Sequence, residues 1–264
     1  MSIKITERIT SRKNPTVIEA SKLAARKYRE EAGAFAVEGI KLFDEAVSAK
    51  AEIKSVFVTE TALEKYGASI ERAHCDRVFL LTDDVFSKLT SESAPQGIFA
   101  TVGFYTVAET PRAWTPFVLV LDGVADPGNL GTIIRCADAL GAGCVYIGSN
   151  GVDLYNPKTV RACMGSLFRV RTERCDAVKK VRELRQNGFS VYAATLDENA
   201  RDIRDIDAGG KVGFVIGNEG QGVSPEAAKA CDGSVIIPMT DGVQSLNAAV
   251  AASIIMWEAA KSRL

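Results

Sequence analysis

Two hydrophobic patterns alternate along the chain. Short runs of consecutive apolar residues, of strand length, are separated by stretches in which apolar residues recur every three or four positions. The first helical pattern is "NPTVIEASKLAARKYRE", residues 14–30, with Val17, Ile18, Leu23 and Ala24 on one face, Asn14 as its cap and Pro15 at the first helical position. Strands are predicted at "AFAVEG", "IKSVFVT", "RVFLL" and "QGIFATVGF", and helices at "IKLFDEAVSA", "TALEKYGASIERA" and "DDVFSKLT". The stretch 106–116, "TVAETPRAWTP", has two prolines and no clear period, and reads as a linker.

Beyond it the alternation strengthens. Strands are predicted at "FVLVLD", "CVYIGS", "FRVRT", "FSVYAAT", "VGFVIG" and "SVIIPM", and helices at 129–141, 156–165, 176–187, 224–231 and 245–261. Strands apolar on both faces and separated by helices predict a mostly parallel sheet covered on both sides. The chain therefore reads as α/β throughout. A first α/β domain spans 1–107, a linker 108–115 and a second domain 116–264.

Composition narrows the function classes. Of 264 residues, 47% are apolar and 25% charged, as in a soluble globular protein, and no apolar run approaches a membrane span. With no apolar leader segment at the N-terminus, the expected location is the cytoplasm. The six cysteines form no C-x-x-C pair and there is one histidine, His74, so neither a zinc site nor a His-based catalytic triad can be assembled; no metal is expected. The formal charge of −1 says nothing about nucleic acid, but residues 1–31 carry eight basic side chains against four acidic ones. Arg8, Arg12, Lys13, Lys22, Arg26 and Lys27 are candidate phosphate contacts within that stretch, which could equally be a solvated helix face.

In an open parallel sheet, ligands bind beyond the carboxyl ends of the strands. Three polar, glycine-rich loops fall there: "GVADPGNLG", "GNEGQGVS" and "MTDGVQSLN". Any one could be a plain turn; three at one sheet edge point to a small-molecule site. In the first, Pro127-Gly128 suits a type II turn, with Asn129 then at the helix N-cap. Ile133, Ile134, Ala137 and Leu140 form the buried stripe. Arg135 lies off it and leans over Gly131 toward the helix mouth. The second loop reads G-x-x-G-x-G, which is not the dinucleotide-binding order, and supplies Glu219. The third places Ser245 and Asn247 at the mouth of a helix whose core stripe is read as Leu246, Ala249, Val250, Ile254 and Trp257, with Ser245 as a reasonable cap.

Together, "DPGNLGTIIRCADALGA", "RACMGSLFRV", "FVIGNEGQGVS" and "IIPMTDGVQSLNAAVAASI", in this order and spacing, resemble the SpoU/TrmH branch of the SPOUT RNA methyltransferases. The N-terminal segments "ITSRKNPTVIEASKLAARKYREEAGAFAVEGIKLFDEA" and "SAPQGIFATV" are similar to the substrate-binding domain of L30e-like type found in that family, so the likeness covers nearly the whole chain. Gln244 is a mild departure, standing where many members carry Glu. The resemblance implies an L30e-like RNA-binding domain followed by a trefoil-knotted α/β catalytic domain, in a homodimer. It implies S-adenosylmethionine as methyl donor and an RNA ribose 2′-hydroxyl as acceptor, most often in 23S-type ribosomal RNA. It further implies Asn129, Arg135, Glu219, Ser245 and Asn247 as the catalytic cluster, and cofactor contacts from Thr195, Gly217, Asn218, Gly220, Ile237 and Leu246.

Methyl transfer to oxygen depends on holding the acceptor in line at about 3–3.5 Å. An arginine pKa above about 12 argues against Arg135 as base and for a phosphate clamp or charge stabiliser, leaving Glu219 or water to take the proton. Three other functions compete with a ribosomal RNA methyltransferase: a transfer-RNA 2′-O-methyltransferase, a non-catalytic RNA-binding assembly factor of the same fold, and a nucleotide-dependent oxidoreductase.

Overall fold

In the computed structural model, residues 3–107, 117–240 and 245–262 are described. The linker at 108–115 and Gln244 lie outside them. The elements run β1 (Glu7–Ile9), α1 (Pro15–Lys22), α2 (Arg26–Ala32), β2 (Ala34–Glu38), α3 (Ile40–Ser48), β3 (Ile53–Thr59), α4 (Glu60–Arg72), β4 (Val78–Leu81), α5 (Asp83–Phe86) and β5 (Ile98–Gly103). They continue as β6 (Phe117–Asp122), α6 (Pro127–Leu140), β7 (Cys144–Gly148), α7 (Pro157–Ala162), β8 (Thr172–Cys175), α8 (Ala177–Gln186) and β9 (Ser190–Ala194). Last come β10 (Arg201–Asp202), β11 (Val212–Gly217), α9 (Pro225–Ala230), β12 (Gly233–Ile236) and α10 (Ala248–Ala260).

Two compact units result. The first comprises residues 1–105 together with 155–168, and the second 106–154 with 169–264. The first unit holds a five-stranded sheet ordered β1-β4-β3-β5-β2, with β5 antiparallel to both β3 and β2. Ile9, Val17, Phe57, Phe79, Val85 and Phe86 build one side of its core. The short β1 escaped the hydrophobic pattern because only Ile9 of its three residues is buried. The helix expected over 14–30 is capped by Asn14, whose side chain accepts from the Thr16 amide, but it divides after Lys22. The cause is Arg29, which turns inward and donates to the carbonyls of Leu23 (2.7 Å) and Ala24 (2.8 Å), satisfying backbone that a continuous helix would have bonded internally.

Residues 155–168 are held in this unit by aromatic packing. The Tyr155 hydroxyl donates to the Tyr105 carbonyl at 2.7 Å and accepts from its amide at 3.0 Å, while its ring sits between Phe35 and Phe104. Phe168, read from sequence as the start of a strand, is instead in a 3-10 turn near the Phe35 and Tyr105 rings, and the strand begins at Thr172.

In the second unit seven strands are parallel, in the order β10-β12-β9-β11-β6-β7-β8. β6 and β11 are buried along their whole length, as their unbroken apolar runs require. The late strand β11 lies between β6 and β9, a strand order that brings the ends of β6 and β11 side by side. Residues 241–244, between β12 and α10, lie outside the described residues, and the knot remains what the resemblance implies. The α10 stripe differs from expectation: Ala248, Ala249, Ala252, Ile255, Met256 and Ala259 face inward, while Val250 and Trp257 are 48% and 51% exposed. This helix is apolar all round, so periodicity could not choose its inner face. No helix among the described residues is long and apolar enough to cross a membrane.

Candidate active site

The three glycine-marked loops do meet at the carboxyl edge of the seven-stranded sheet, following β6, β11 and β12. The first begins with a correction. Asp126, not Asn129, caps α6, accepting the Asn129 amide at 2.8 Å, and Pro127 occupies the first helical position. Asn129 is thereby released from capping and sits in the first turn with its side chain free to reach across the loops. Its Nδ2 donates to Glu219 Oε1 at 2.8 Å, and its Oδ1 accepts from Asn247 Nδ2 at 3.0 Å.

Asn247 is also fixed from its own side. It caps α10, its Oδ1 accepting from the amides of Ala249 and Val250, so Ser245 does not cap that helix. Its amide group is left pointing to Asn129. One bonded chain therefore joins all three loops: Glu219, Asn129, Asn247.

Glu219 is the anchor of this chain. Besides the Asn129 bond, its carboxylate accepts from the amides of Ala125 and Asp126, each at 3.1 Å. Partial desolvation pushes its pKa up, but the Asn129 side chain and these amides outweigh it and hold the carboxyl below its usual value. A carboxylate with its lone pairs so occupied is a latch between loops and a poor proton acceptor. Asn218 is likewise structural: its Oδ1 accepts from the amides of Gly220 and Gln221, and its Nδ2 donates to the Gly123 carbonyl.

Glu219 also lines a cavity of about 540 Å³, in the size range of small-molecule sites, whereas Asn129, Arg135 and Asn247 do not line it. All six residues assigned to the cofactor line it: Thr195, Gly217, Asn218, Gly220, Ile237 and Leu246. Glu219 and Ser245 contribute as well, and so do Leu196, Asp197 and Met239, which carried no motif signal. The Oγ1 of Thr195 is buried without a hydrogen-bond partner, a polar atom suited to a ligand group. Gly217 is needed for a reason other than positive φ. A Cβ there would stand 2.0 Å from the Gly222 carbonyl carbon and 2.1 Å from the Val223 amide, where the loop folds back on the strand end. The left-handed residue is Gly222, at φ 69°.

Arg135 is exposed on α6 and makes no ion pair or hydrogen bond among the described residues. It is not bonded to Asn129, and Gly131, over which it was expected to lean, is buried. Ser245 is exposed at the cavity rim. In the other unit, the basic candidates are spread over exposed ion pairs that charge counting could not foresee. Arg8 pairs with Glu60, Arg12 with Asp84 (3.2 Å), Arg26 with Glu30 (2.7 Å) and Lys27 with Glu31 (3.9 Å). Such pairs contribute about 0–1 kcal/mol and yield readily to phosphate. Lys13 and Lys22 are exposed without a carboxylate partner among the described residues. His74 is an exposed residue at φ 47°.

Comparison with known proteins agrees with this geometry. Residues 116–257 match the SpoU rRNA methylase family, and residues 14–100 match the MRM3-like substrate-binding domain. The chain is 33% identical over 251 residues, 95% of its length and 98% of the relative's, to the 23S rRNA (guanosine(2553)-2′-O)-methyltransferase RlmP of Bacillus subtilis. An AdoMet-bound rRNA methyltransferase from Sinorhizobium meliloti superposes with a TM-score of 0.85 at 32% identity, covering 97% of this chain and 98% of that one. The SpoU methyltransferase AviRb of Streptomyces viridochromogenes, in complex with AdoMet, gives 0.84 at 29% identity, covering 95% and 98%.

Proposed function

The chain belongs to the SpoU rRNA methylase family, and we propose that it methylates a ribose 2′-hydroxyl of ribosomal RNA of the 23S type. Its cofactor is S-adenosylmethionine. The observation that carries the reading is the bonded chain Glu219–Asn129–Asn247, which ties the three loops together beside a cavity that Glu219 itself lines.

When bound, S-adenosylmethionine supplies an electrophilic methyl group, so the protein must orient an oxygen and accommodate its lost proton. Thr195 and the backbone of Gly217, Gly220, Ile237 and Leu246 would hold the cofactor. Asn218 would act behind them by shaping the loop. Asn129 and Asn247 fix each other beside Glu219, which lines the cavity, and with the Ser245 hydroxyl they present polar groups to a ribose. Arg135, a permanent cation with no ion-pair partner among the described residues, clamps the adjoining phosphate and stabilises negative charge developing on the 2′-oxygen. With Glu219 engaged by its donors, the proton leaves to water.

The first unit is the substrate reader in this proposal, with Arg8, Arg12, Lys13, Lys22, Arg26 and Lys27 supplying phosphate contacts in the cytoplasm. The protein acts as a homodimer, its copies meeting on the apolar surface where Val250, Ile254 and Trp257 of α10 adjoin Thr132 of α6. Ribosomal RNA is preferred to transfer RNA because a relative 33% identical and matched over 98% of its length is named for 23S rRNA. The test is transfer of labelled methyl from S-adenosylmethionine to unmodified ribosomal RNA by the purified protein. Label in alkali-resistant dinucleotides is the expected result. Label confined to bases, or none, would refute the proposal.

A further inference from the structure

The corner between α1 and α2 joins an exposed aromatic ring to two exposed lysines, of which Lys27 is in a loose 3.9 Å pair with Glu31. Tyr28 is 37% exposed, and the ammonium groups of Lys22 and Lys27 stand 5.4 and 5.9 Å from the centre of its ring. Lys22 closes α1 while Tyr28 and Lys27 lie in the first turn of α2, so only the break between the helices brings them together. That break is held by the buried guanidinium of Arg29 on the Leu23 and Ala24 carbonyls. Burying a cation is costly unless it is bonded, so the corner is a maintained shape and not a frayed helix end. The nearby carboxylates of Glu30 and Glu31 are engaged by Arg26 and Lys27, and Lys22 has no carboxylate partner among the described residues.

We propose that Tyr28 is a base-stacking residue for an unpaired nucleotide of the RNA substrate, with Lys22 and Lys27 taking its flanking phosphates. The proposal rests on the RNA-methyltransferase reading and adds to it a residue that charge patterning did not single out. The chemistry matches in two respects. A flat π-face accepts any nucleobase, and two cations close to it meet a backbone that carries one charge per nucleotide. An acidic peptide would satisfy the lysines and leave the ring unused. Duplex RNA offers phosphates, but its bases are already stacked on one another.

The test uses the full-length protein and fluorescein-labelled 12-nucleotide oligo(U), with duplex RNA of equal length for comparison. Tyr28→Ala should weaken oligo(U) binding about tenfold, within the roughly 5- to 100-fold range typical of losing one stacked base, and Tyr28→Phe should stay near wild type. Lys22→Ala and Lys27→Ala should each lower the slope of log K against log salt by about 0.7. An oligonucleotide carrying 5-iodouridine should cross-link to Tyr28 under ultraviolet light. In methylation assays Tyr28→Ala should raise KM for RNA and leave kcat and the affinity for S-adenosylmethionine unchanged. Thermal melting identifies any variant that is simply unfolded, and Tyr28→Leu, equally bulky but without the ring, should then reproduce the loss. Binding by a folded Tyr28→Ala variant within twofold of wild type, or cross-links only elsewhere, would overturn the stacking role alone. A wild-type protein that binds no RNA would overturn the functional reading itself.

Discussion

Asn129 and Asn247 are 118 residues apart in the chain and share a hydrogen bond of 3.0 Å, with Asn129 bonded in turn to Glu219 at 2.8 Å. Each asparagine is placed by a separate helix start and has a second partner of its own, Glu219 for Asn129 and the α10 amides for Asn247. The consequences of removing each member differ.

Glu219→Gln should loosen the loops more than it alters proton transfer. A glutamine that keeps the acceptor shared by Asn129 and the Asp126 amide turns its NH2 toward the backbone amide of Ala125. The loss should be about 1 kcal/mol, or roughly 2–4 °C in Tm. Because the folded-state pKa of Glu219 is depressed, the stability it contributes is fully present above the ordinary value of 4.5 and disappears as pH falls through the lower folded value. The Tm difference between wild type and Glu219→Gln should therefore be constant above about pH 5.5 and shrink in acid. A difference that instead grew in acid would contradict the latch.

Arg135→Ala should lower kcat by about 10²–10³-fold, the cost of removing one charge-stabilising group, while leaving affinity for S-adenosylmethionine nearly unchanged. Calorimetry and single-turnover rates separate the two. Equal losses in rate and cofactor affinity would remove Arg135 from its assigned role.

Two glycines of one loop should respond oppositely. In Gly217→Ala the new methyl would meet the backbone of Gly222 and Val223 at 2.0–2.3 Å, so the loop must rebuild and cofactor binding should fail in a protein of lowered Tm. Gly220→Ala has nothing nearer than 3.7 Å and should fold normally. Matched stabilities for the two variants would show that the close approach at Gly217 is unimportant.

The fragment 112–264 should not behave as a self-sufficient domain. Residues 155–168 pack in the first unit, against Phe35, Phe104 and Tyr105, all of which the fragment lacks. Limited proteolysis should cleave the fragment between Tyr155 and Phe168 and spare that stretch in the full chain. Equal protection in both would show that the segment is held by other means.

Trp257→Glu should yield monomers in sedimentation, since it puts a charge into the apolar surface proposed to join two copies. An unchanged dimer would move the interface elsewhere.

Much of the architecture was legible in sequence because β6 and β11 are almost entirely apolar runs and because Asn14 and Pro15 announce a helix start in a way few residues can. The three loops were legible through their glycines. What was hidden depends on partners distant in sequence. Asp126 caps α6 instead of Asn129 because it stands immediately before Pro127 at the first helical position, although Pro-Gly is equally compatible with a turn. The inner face of α10 was undecidable in a helix apolar on every side. The return of 155–168 to the first unit rests on ring contacts that no periodicity encodes. The neutralisation of Arg8 and Arg12 by Glu60 and Asp84 was invisible to local charge counting.

The most direct test is a map of 2′-O-methylated nucleotides in the ribosomal RNA of cells with and without the gene, with complementation by wild type and by Asn129→Ala. The expected result is one ribose in the large-subunit RNA that loses its methyl group on deletion, regains it with wild type and stays unmodified with Asn129→Ala. Identical ribosomal maps in all four strains would contradict the proposed activity.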